Sequence, residues 1–271
     1  MAVLDGRLYV AGGFAEPGGI QSSAFEAFDP ATGSWTTLTP LPEARHHAGL
    51  TAIGDRLYLT GGNAEGFALR ANLWIYDPRA DKWSTGPQMP DRRSAHAAVE
   101  VGGRLYLVGG VIPSQTLRAP TWRYDPASRS WTDSLAPLPT YREHLAAVTA
   151  DGTIVAVGGR AGKNLAAMER YDPATDAWTA LPALPTARGG LTAAVLDGAV
   201  HVIGGEGPGE PGIFDEHEIL DLGTLTWSAG PPLARGRHGL GSGVIAGRLY
   251  LAAGGTNPGL STSDTLDIFS P

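Results

Sequence analysis

The sequence contains no cysteine in its 271 residues. Disulfide bonds, thiolate nucleophiles and metal sites with cysteine ligands are therefore excluded together. A chain without cysteine suits an oxidising and a reducing environment equally, so its cysteine content favours no cellular compartment.

Long apolar runs and clusters of positive charge are also absent. No stretch approaches the roughly 20 apolar residues that a helix needs to cross a bilayer, so no membrane span is predicted. The opening residues, MAVLDGRLYV, lack the basic region and apolar core of a signal peptide. An upstream leader would imply the periplasm or secretion, and without one the cytoplasm is expected. With a net charge of −7 and no basic run, the chain does not favour nucleic acid as a partner.

A Gly-Gly pair at the end of a short apolar strand marks an internal repeat. The pairs follow one another at steps of 46 to 50 residues and lie at Gly12-Gly13, Gly61-Gly62, Gly109-Gly110, Gly158-Gly159, Gly204-Gly205 and Gly254-Gly255. Five copies also place a tryptophan seven residues after an aromatic or apolar residue, at Phe28/Trp35, Tyr76/Trp83, Tyr124/Trp131, Tyr171/Trp178 and Leu220/Trp227. A period of about 50 residues is typical of propeller arrays, whose blades must stack to bury their faces.

Each copy reads as four short strands. An apolar strand, a glycine-containing turn and a second apolar strand lead to Gly-Gly, and a loop of variable length follows. A third strand, which ends in Asp-Pro in four copies, and a fourth strand with the tryptophan complete the unit. The sequence therefore predicts a single all-β domain with blades at about 1–43, 44–91, 92–140, 141–187, 188–235 and 236–271.

The sixth copy lacks its tryptophan, because the chain stops at Pro271. We therefore expect blade six to lack its outer strand and to leave Thr265–Ser270 as an unpaired edge. A longer relative would be expected to supply that strand from about 25 further upstream residues, at the usual blade length. An open edge would also allow self-association with another copy.

The Gly-Gly pairs, the spaced tyrosine and tryptophan and the 50-residue step together resemble the Kelch repeat. The resemblance covers practically the whole chain and implies a six-bladed β-propeller with four-stranded antiparallel blades. Blades four to six, from Met168 to Gly255, look like bacterial Kelch proteins of unassigned activity. Leu220-Asp221-Leu222 in place of Tyr-Asp-Pro departs from the pattern, as does Ser270 in place of aspartate.

Residues that recur at one repeat position are interpreted as structural. An arginine precedes the inner strand of five blades, at Arg45, Arg93, Arg142, Arg188 and Arg237. Planar guanidinium groups suit a tie between blades. The candidate partners are the residues that recur on the third strand, Glu26, Trp74, Trp122, Glu169, Glu218 and Asp267. The alternative is a basic ring at one mouth of the channel that captures a carboxylate or an acidic peptide, as Kelch substrate adaptors do.

Residues that differ between blades are the candidates for binding. Those directly after each Gly-Gly lie on loops of a rigid scaffold, where binding residues concentrate. Histidines near the repeat arginines are interpreted as polar residues at strand entrances, and neither a metal nor a cofactor is predicted. Arg160 and Glu206, on neighbouring blades, could instead pair with each other. The candidate binding residues are His47, Asn63, Arg142, His144, Arg160, Glu206 and Asn257.

These residues favour a non-catalytic binding module for a protein segment or an acidic or polysaccharide ligand. The alternative is an enzyme resembling the sialic-acid mutarotases, another six-bladed Kelch group, with Arg160, Glu206 and the Arg142/His144 pair as carboxylate clamp and general base. A purely structural or assembly role is the third hypothesis. Copper chemistry like that of galactose oxidase, also a Kelch propeller, is excluded, because its cofactor needs a cysteine-crosslinked tyrosine.

Overall fold

The computed structural model describes residues 1–16, 19–113, 120–207 and 212–270. It is built from strands in six radial sheets, as the sequence predicted. The first two blades contain, in chain order, β1 (Ala2–Leu4), β2 (Arg7–Ala11), β3 (Phe14–Glu16), β4 (Ile20–Gln21), β5 (Phe25–Asp29), β6 (Ser34–Thr37), β7 (Gly49–Ile53), β8 (Arg56–Thr60), β9 (Asn63–Ala64), β10 (Ala68–Leu69), β11 (Leu73–Asp77) and β12 (Lys82–Thr85).

In their described residues, blades three to six repeat the plan without the extra short strands. They contain β13 (Ala97–Val101), β14 (Arg104–Val108), β15 (Thr121–Asp125), β16 (Ser130–Leu135), β17 (Ala146–Ala150), β18 (Thr153–Val157), β19 (Met168–Asp172), β20 (Ala177–Ala180), β21 (Thr192–Leu196), β22 (Ala199–Ile203), β23 (His217–Asp221), β24 (Trp227–Ala229), β25 (Gly241–Ile245), β26 (Arg248–Ala252) and β27 (Leu266–Phe269). A single 3₁₀ turn, Glu65–Phe67, is the helical element of the described residues. No helix there is long and apolar enough to span a bilayer.

All pairings within the blades are antiparallel, and the strands of each blade run in chain order from the channel outward. Five blades have four strands and the sixth has three, so the predicted architecture, including the missing outer strand, is confirmed. The two extra pairs, β3–β4 and β9–β10, project from blades one and two beyond the Gly-Gly pairs. We call these pairs flap one and flap two.

The hydrophobic core lies between successive blades. The second strand of each blade is buried on both faces, as its nearly continuous apolar sequence predicted; Leu105 and Tyr106, on opposite faces of β14, are 0% and 3% exposed. Blade one closes the ring against blade six, where Leu8 and Phe28 pack with Tyr250. Gly241 permits this contact, because a Cβ atom there would lie 2.6 Å from the Met1 Cβ atom.

In blades one to five the Gly-Gly pair is the place where the next blade docks. The second glycine donates its N–H to the carbonyl of the next blade's repeat arginine, as in Gly62 to Arg93 at 2.8 Å and Gly159 to Arg188 at 2.9 Å. The first glycine allows the approach: a Cβ atom on Gly61 would overlap the Arg93 carbonyl oxygen. The repeat arginines therefore connect blades through their main chain.

The guanidinium groups of the repeat arginines act within their own blades. In blades four, five and six they pair with the acidic residue of the third strand, as Arg142 does with Glu169 and Arg188 with Glu218. In blades two and three the partner is an aromatic face: Arg45 lies 4.6 Å from the Trp74 ring centroid, and Arg93 lies 3.6 Å from that of Trp122. All five arginine side chains are buried.

A belt of backbone hydrogen bonds runs around the channel from blade two to blade six. Its members lie two residues after each repeat arginine, and all have positive φ angles between 51° and 64°. From blade three onward, the N–H of each member donates to the carbonyl of the one in the preceding blade, at 2.7 to 3.0 Å. The belt consists of His47, Ala95, His144, Gly190 and Gly239. It links blades two to six, and its side chains point toward the channel's axis region, where His47 and His144 meet.

Candidate functional site

A cavity of about 680 Å³ opens at the end of the channel where the Gly-Gly pairs and the repeat arginines lie. In blades two to five its wall is made at two positions: the residue after the Gly-Gly pair and the residues that follow the repeat arginine. Isolated β-bridges join the two positions, for example His46 to Asn63 and Glu143 to Arg160. The two variable positions of one blade are therefore held against each other by the scaffold.

An ionic network lines the side of the cavity formed by blades four and five. The Arg160 guanidinium donates to Glu143 through Nε at 2.9 Å and to Glu206 through Nη1 at 2.9 Å. The second Glu206 oxygen accepts from the Gly259 N–H at 3.2 Å and lies 3.5 Å from His238 Nδ1. Arg160 and Glu206 thus pair with each other, one of the two alternatives that the sequence left open.

The same network fixes the tautomer of His144. Its Nε2 atom lies 3.1 Å from Arg160 Nη2, and its Nδ1 atom lies 2.8 Å from Glu143 Oε2. Because a guanidinium only donates, Nε2 accepts and the proton resides on Nδ1, which donates to Glu143. Burial works to raise the pKa of Glu143, but hydrogen bonds from His144 and Arg160 outweigh it and lower the pKa to about 2.

Three histidines meet beside this network. The rings of His47 and His144 lie 4.8 Å apart although they come from blades two and four, and His46 Nδ1 hydrogen-bonds His47 Nδ1. Burial lowers the pKa of His46 to about 4 and that of His47 to about 3, with further contributions from neighbouring positive charges. These imidazoles are therefore neutral at pH 7.

The opposite side of the cavity is apolar. Flap one places the Phe14 ring 4.6 Å from the His46 ring, and flap two places the Phe67 ring 4.8 Å from it. The Gln21 side chain of flap one donates to the Ala64 carbonyl of flap two at 3.2 Å, which joins the flaps. Leu260 of blade six lines the same side and is exposed. The cavity is consequently ionic over blades four and five and aromatic over blades one and two.

Five of the seven candidate residues from the sequence line this cavity: His47, Asn63, His144, Arg160 and Glu206. Asn257 lies beside it, where its carbonyl accepts from His238 Nε2 at 3.0 Å. Arg142 does not line the cavity; it is buried below, where Glu169 and the Thr140 and Ala156 carbonyls accept its hydrogen bonds.

Sequence reasoning missed His46, Glu143, His238 and Phe67 as lining residues. The first three directly follow a repeat arginine, a position that varies between blades as much as the one after Gly-Gly. That variation was the available signal. Phe67 carried no such signal, because it lies inside a loop of variable length. Among the described residues, no group of three or more His, Asp or Glu side chains could hold a metal ion.

Comparisons with known proteins agree with this geometry. Residues 1–205 match the family described as the KLHDC2/KLHL20/DRC7 Kelch-repeats domain. Kelch domain-containing protein 7A of Mus musculus is 32% identical over 80 residues, which are 28% of this chain and 10% of that protein. Kelch-like protein 35 of Homo sapiens is 35% identical over 66 residues, 24% of this chain and 11% of that protein. The matched part thus spans about a tenth of either relative.

Among solved structures, YjhT superimposes on the chain with a TM-score of 0.83. The superposition covers 99% of this chain and 93% of YjhT at 18% sequence identity. At that identity the likeness establishes the propeller fold.

Proposed function

The chain belongs to the Kelch-repeat family of β-propellers, and from that premise we propose that it is a non-catalytic binding module whose channel mouth holds a protein segment. One observation carries the proposal. The residues that differ between blades converge on one cavity, which is apolar on one side and internally charge-paired on the other. Such a surface offers contact area and hydrogen bonds, and its charged groups are paired with one another.

The charge pairing supports a protein segment over an acidic ligand. The repeat arginines are buried and bound within their blades, so they form no basic ring at the mouth. Arg160, which does reach the cavity, already faces two carboxylates. An acidic ligand would have to compete with Glu143 and Glu206 for it, whereas an apolar side chain meets Phe14, Phe67 and Leu260 directly.

Peptides selected from a random display library against the purified chain test this proposal. We expect selected peptides to protect the backbone amides of flap two and of residues 143–144 from hydrogen exchange. The turns at the opposite end of the blades, such as Gly102-Gly103, serve as the internal control and should exchange as before. If no peptide binds, or if protection falls on those turns, the proposal is wrong.

A sugar-acid-handling enzyme resembling the sialic-acid mutarotases is the second candidate. The favouring observation is the Glu143–His144 pair beside Arg160, since a carboxylate that drew Arg160 away would free His144 Nε2 to act as a base. Thermal-shift and anomer-exchange measurements with sialic and uronic acids test it. No stabilisation by any of these sugar acids would eliminate it.

An assembly role is the third candidate, and the edge of blade six favours it. Strand β27 has one neighbour, β26, among the described strands, and Ile268 on it is 47% exposed. Light scattering at increasing concentration should then show a dimer in the unmodified chain and a monomer in Ile268→Lys. A monomer in both would remove this candidate.

A further inference from the structure

Phe67 stands at the tip of flap two in a backbone conformation that bulky residues rarely adopt. Gly66 has a φ of 66° and Phe67 a φ of 59°, both in the left-handed region. The Phe67 side chain gains little burial in return, because the residue is 56% exposed. Its ring nevertheless lies against the His46 ring in an edge-to-face arrangement. A strained, exposed aromatic residue therefore covers the aromatic side of the cavity.

The residue below it has an unused polar atom. His46 is 2% exposed, and its Nδ1 atom is bound to His47, but its Nε2 atom has no hydrogen-bond partner among the described residues. Buried polar atoms without a partner are uncommon, because each loses its hydration without compensation. Since His46 is neutral at pH 7, an uncharged donor or acceptor would satisfy Nε2.

The cations that line the cavity are already paired, and its carboxylates Glu143 and Glu206 lie on the side away from the aromatic residues. Arg160 is paired with Glu143 and Glu206. Arg45, at the cavity wall, lies 2.8 Å from Glu43. A charged group that entered the aromatic side would lose water without gaining a partner of opposite sign. An uncharged apolar group gains contact with Phe14 and Leu260 there.

We propose that the Phe67 ring occupies the place of a ligand side chain: an apolar side chain of a bound protein segment displaces it from His46 and packs against Phe14, and the adjoining peptide amide pairs with His46 Nε2. A peptide amide offers both a donor and an acceptor, so it matches either tautomer of the imidazole. This inference rests on the proposed function, which assigns a protein segment to the mouth, and it names the segment's anchor as apolar and uncharged.

Capped single amino acids isolate the anchor from the rest of a segment. The N-acetyl amides of phenylalanine, leucine, serine and glutamate share one amide frame and differ only in the side chain. Titration at pH 7.5, followed by NMR of the protein, should show millimolar binding of the phenylalanine or leucine probe at His46. About 15- to 60-fold weaker binding is expected for the serine probe, since burying two or three methylene-sized groups is worth about that factor.

Three variants have different expected effects on binding of the apolar probes. Phe67→Ala removes the competing ring and should tighten binding of the apolar probes several-fold. Phe14→Ala removes a wall of the site and should weaken it at least fivefold; Phe14→Leu, with the same expected direction, replaces it if the alanine variant does not fold. Ile268→Ala, an exposed apolar residue outside the cavity, is the matched control and should leave binding unchanged.

Each contrary result has a definite meaning. Equal or tighter binding of the glutamate probe overturns the uncharged anchor, and unchanged or weaker binding to Phe67→Ala overturns the displacement of Phe67. If no probe binds in the cavity but selected peptides still protect flap two and residues 143–144, the proposed apolar anchor is wrong and the binding-module proposal stands. If selected peptides also fail there, both are wrong.

Discussion

Removing the carboxylate of Glu169 should destabilise the whole propeller strongly. Arg142 is fully buried, and Glu169 provides its counter-charge in a pair whose side chains are 0% and 8% exposed. Two carbonyls, of Thr140 and Ala156, would remain as acceptors after Glu169→Ala, but the charge would be unpaired. Breaking a buried pair by removing one partner typically costs about 3–5 kcal/mol.

The stability lost in Glu169→Ala should lie toward the upper end of that range. Glu169 also accepts hydrogen bonds from the Thr140 N–H at 3.1 Å and from the Thr140 hydroxyl at 2.8 Å. Glu169→Ala therefore leaves two further donors without their acceptor, whereas Glu169→Gln keeps an acceptor in place. We expect Glu169→Gln to lose about 2 kcal/mol of unfolding free energy, clearly less than Glu169→Ala.

Urea denaturation followed by tryptophan fluorescence measures the free energies of unfolding. Arg104→Ala is the control, since it breaks the exposed pair with Asp125, whose side chains are 45% and 27% exposed. That change should cost at most about 1 kcal/mol. If Glu169→Ala, with native circular dichroism, costs no more than Arg104→Ala, then the guanidinium does not need its counter-charge and the reasoning is refuted.

Two further predictions concern pH and the docking glycines. Burial lowers the pKa of His47 and of His96 to about 3. Because the unfolded chain therefore binds more protons than the folded chain, the free energy of unfolding should fall as the pH drops below about 6.5. The expected loss at pH 5 is about 2 kcal/mol for each histidine. Urea midpoints between pH 7.5 and pH 5 measure this loss, and a constant midpoint would contradict the neutral, buried state of these rings. Gly61→Ala should cost at least about 2 kcal/mol because its Cβ atom overlaps a carbonyl of the next blade. Gly66→Ala, with a similar φ and nothing within 4 Å, should cost about 1 kcal/mol, and equal losses would show that docking is not involved.

The architecture could be predicted from the sequence because each blade repeats the same physical requirements. Gly61 and its counterparts meet a carbonyl of the next blade, and strands such as β14 are buried on both faces, so each copy reports the same constraint. The partners of the buried arginines also followed from the repeat position on the third strand. That position holds Glu169 in blade four and Trp122 in blade three, and each contacts the arginine of its own blade. Because these constraints recur in every copy, they can be recognised from the sequence.

The site was less predictable, because it depends on how blades converge on the axis. His47 and His144 are separated by a whole blade in sequence, yet the belt brings their rings to 4.8 Å. An alternation argument along one strand cannot show this, because both residues have left-handed backbone conformations rather than extended ones. Arg142 illustrates the opposite error: its neighbour Glu143 reaches the cavity, while Arg142 itself is directed into the blade.

The hydrogen-bonded belt has a consequence for how this fold can change over time. Successive members are joined by one N–H and one carbonyl, and side chains as different as those of His47, Ala95 and Gly190 occupy the belt with the same backbone conformation. A duplicated or exchanged blade within the belt would bring its own donor and acceptor and would join its neighbours whatever residue it carried there. The linkage of blades two to six and the chemistry of the channel can therefore evolve separately, because side chains at the axis can change while the backbone hydrogen bonds remain.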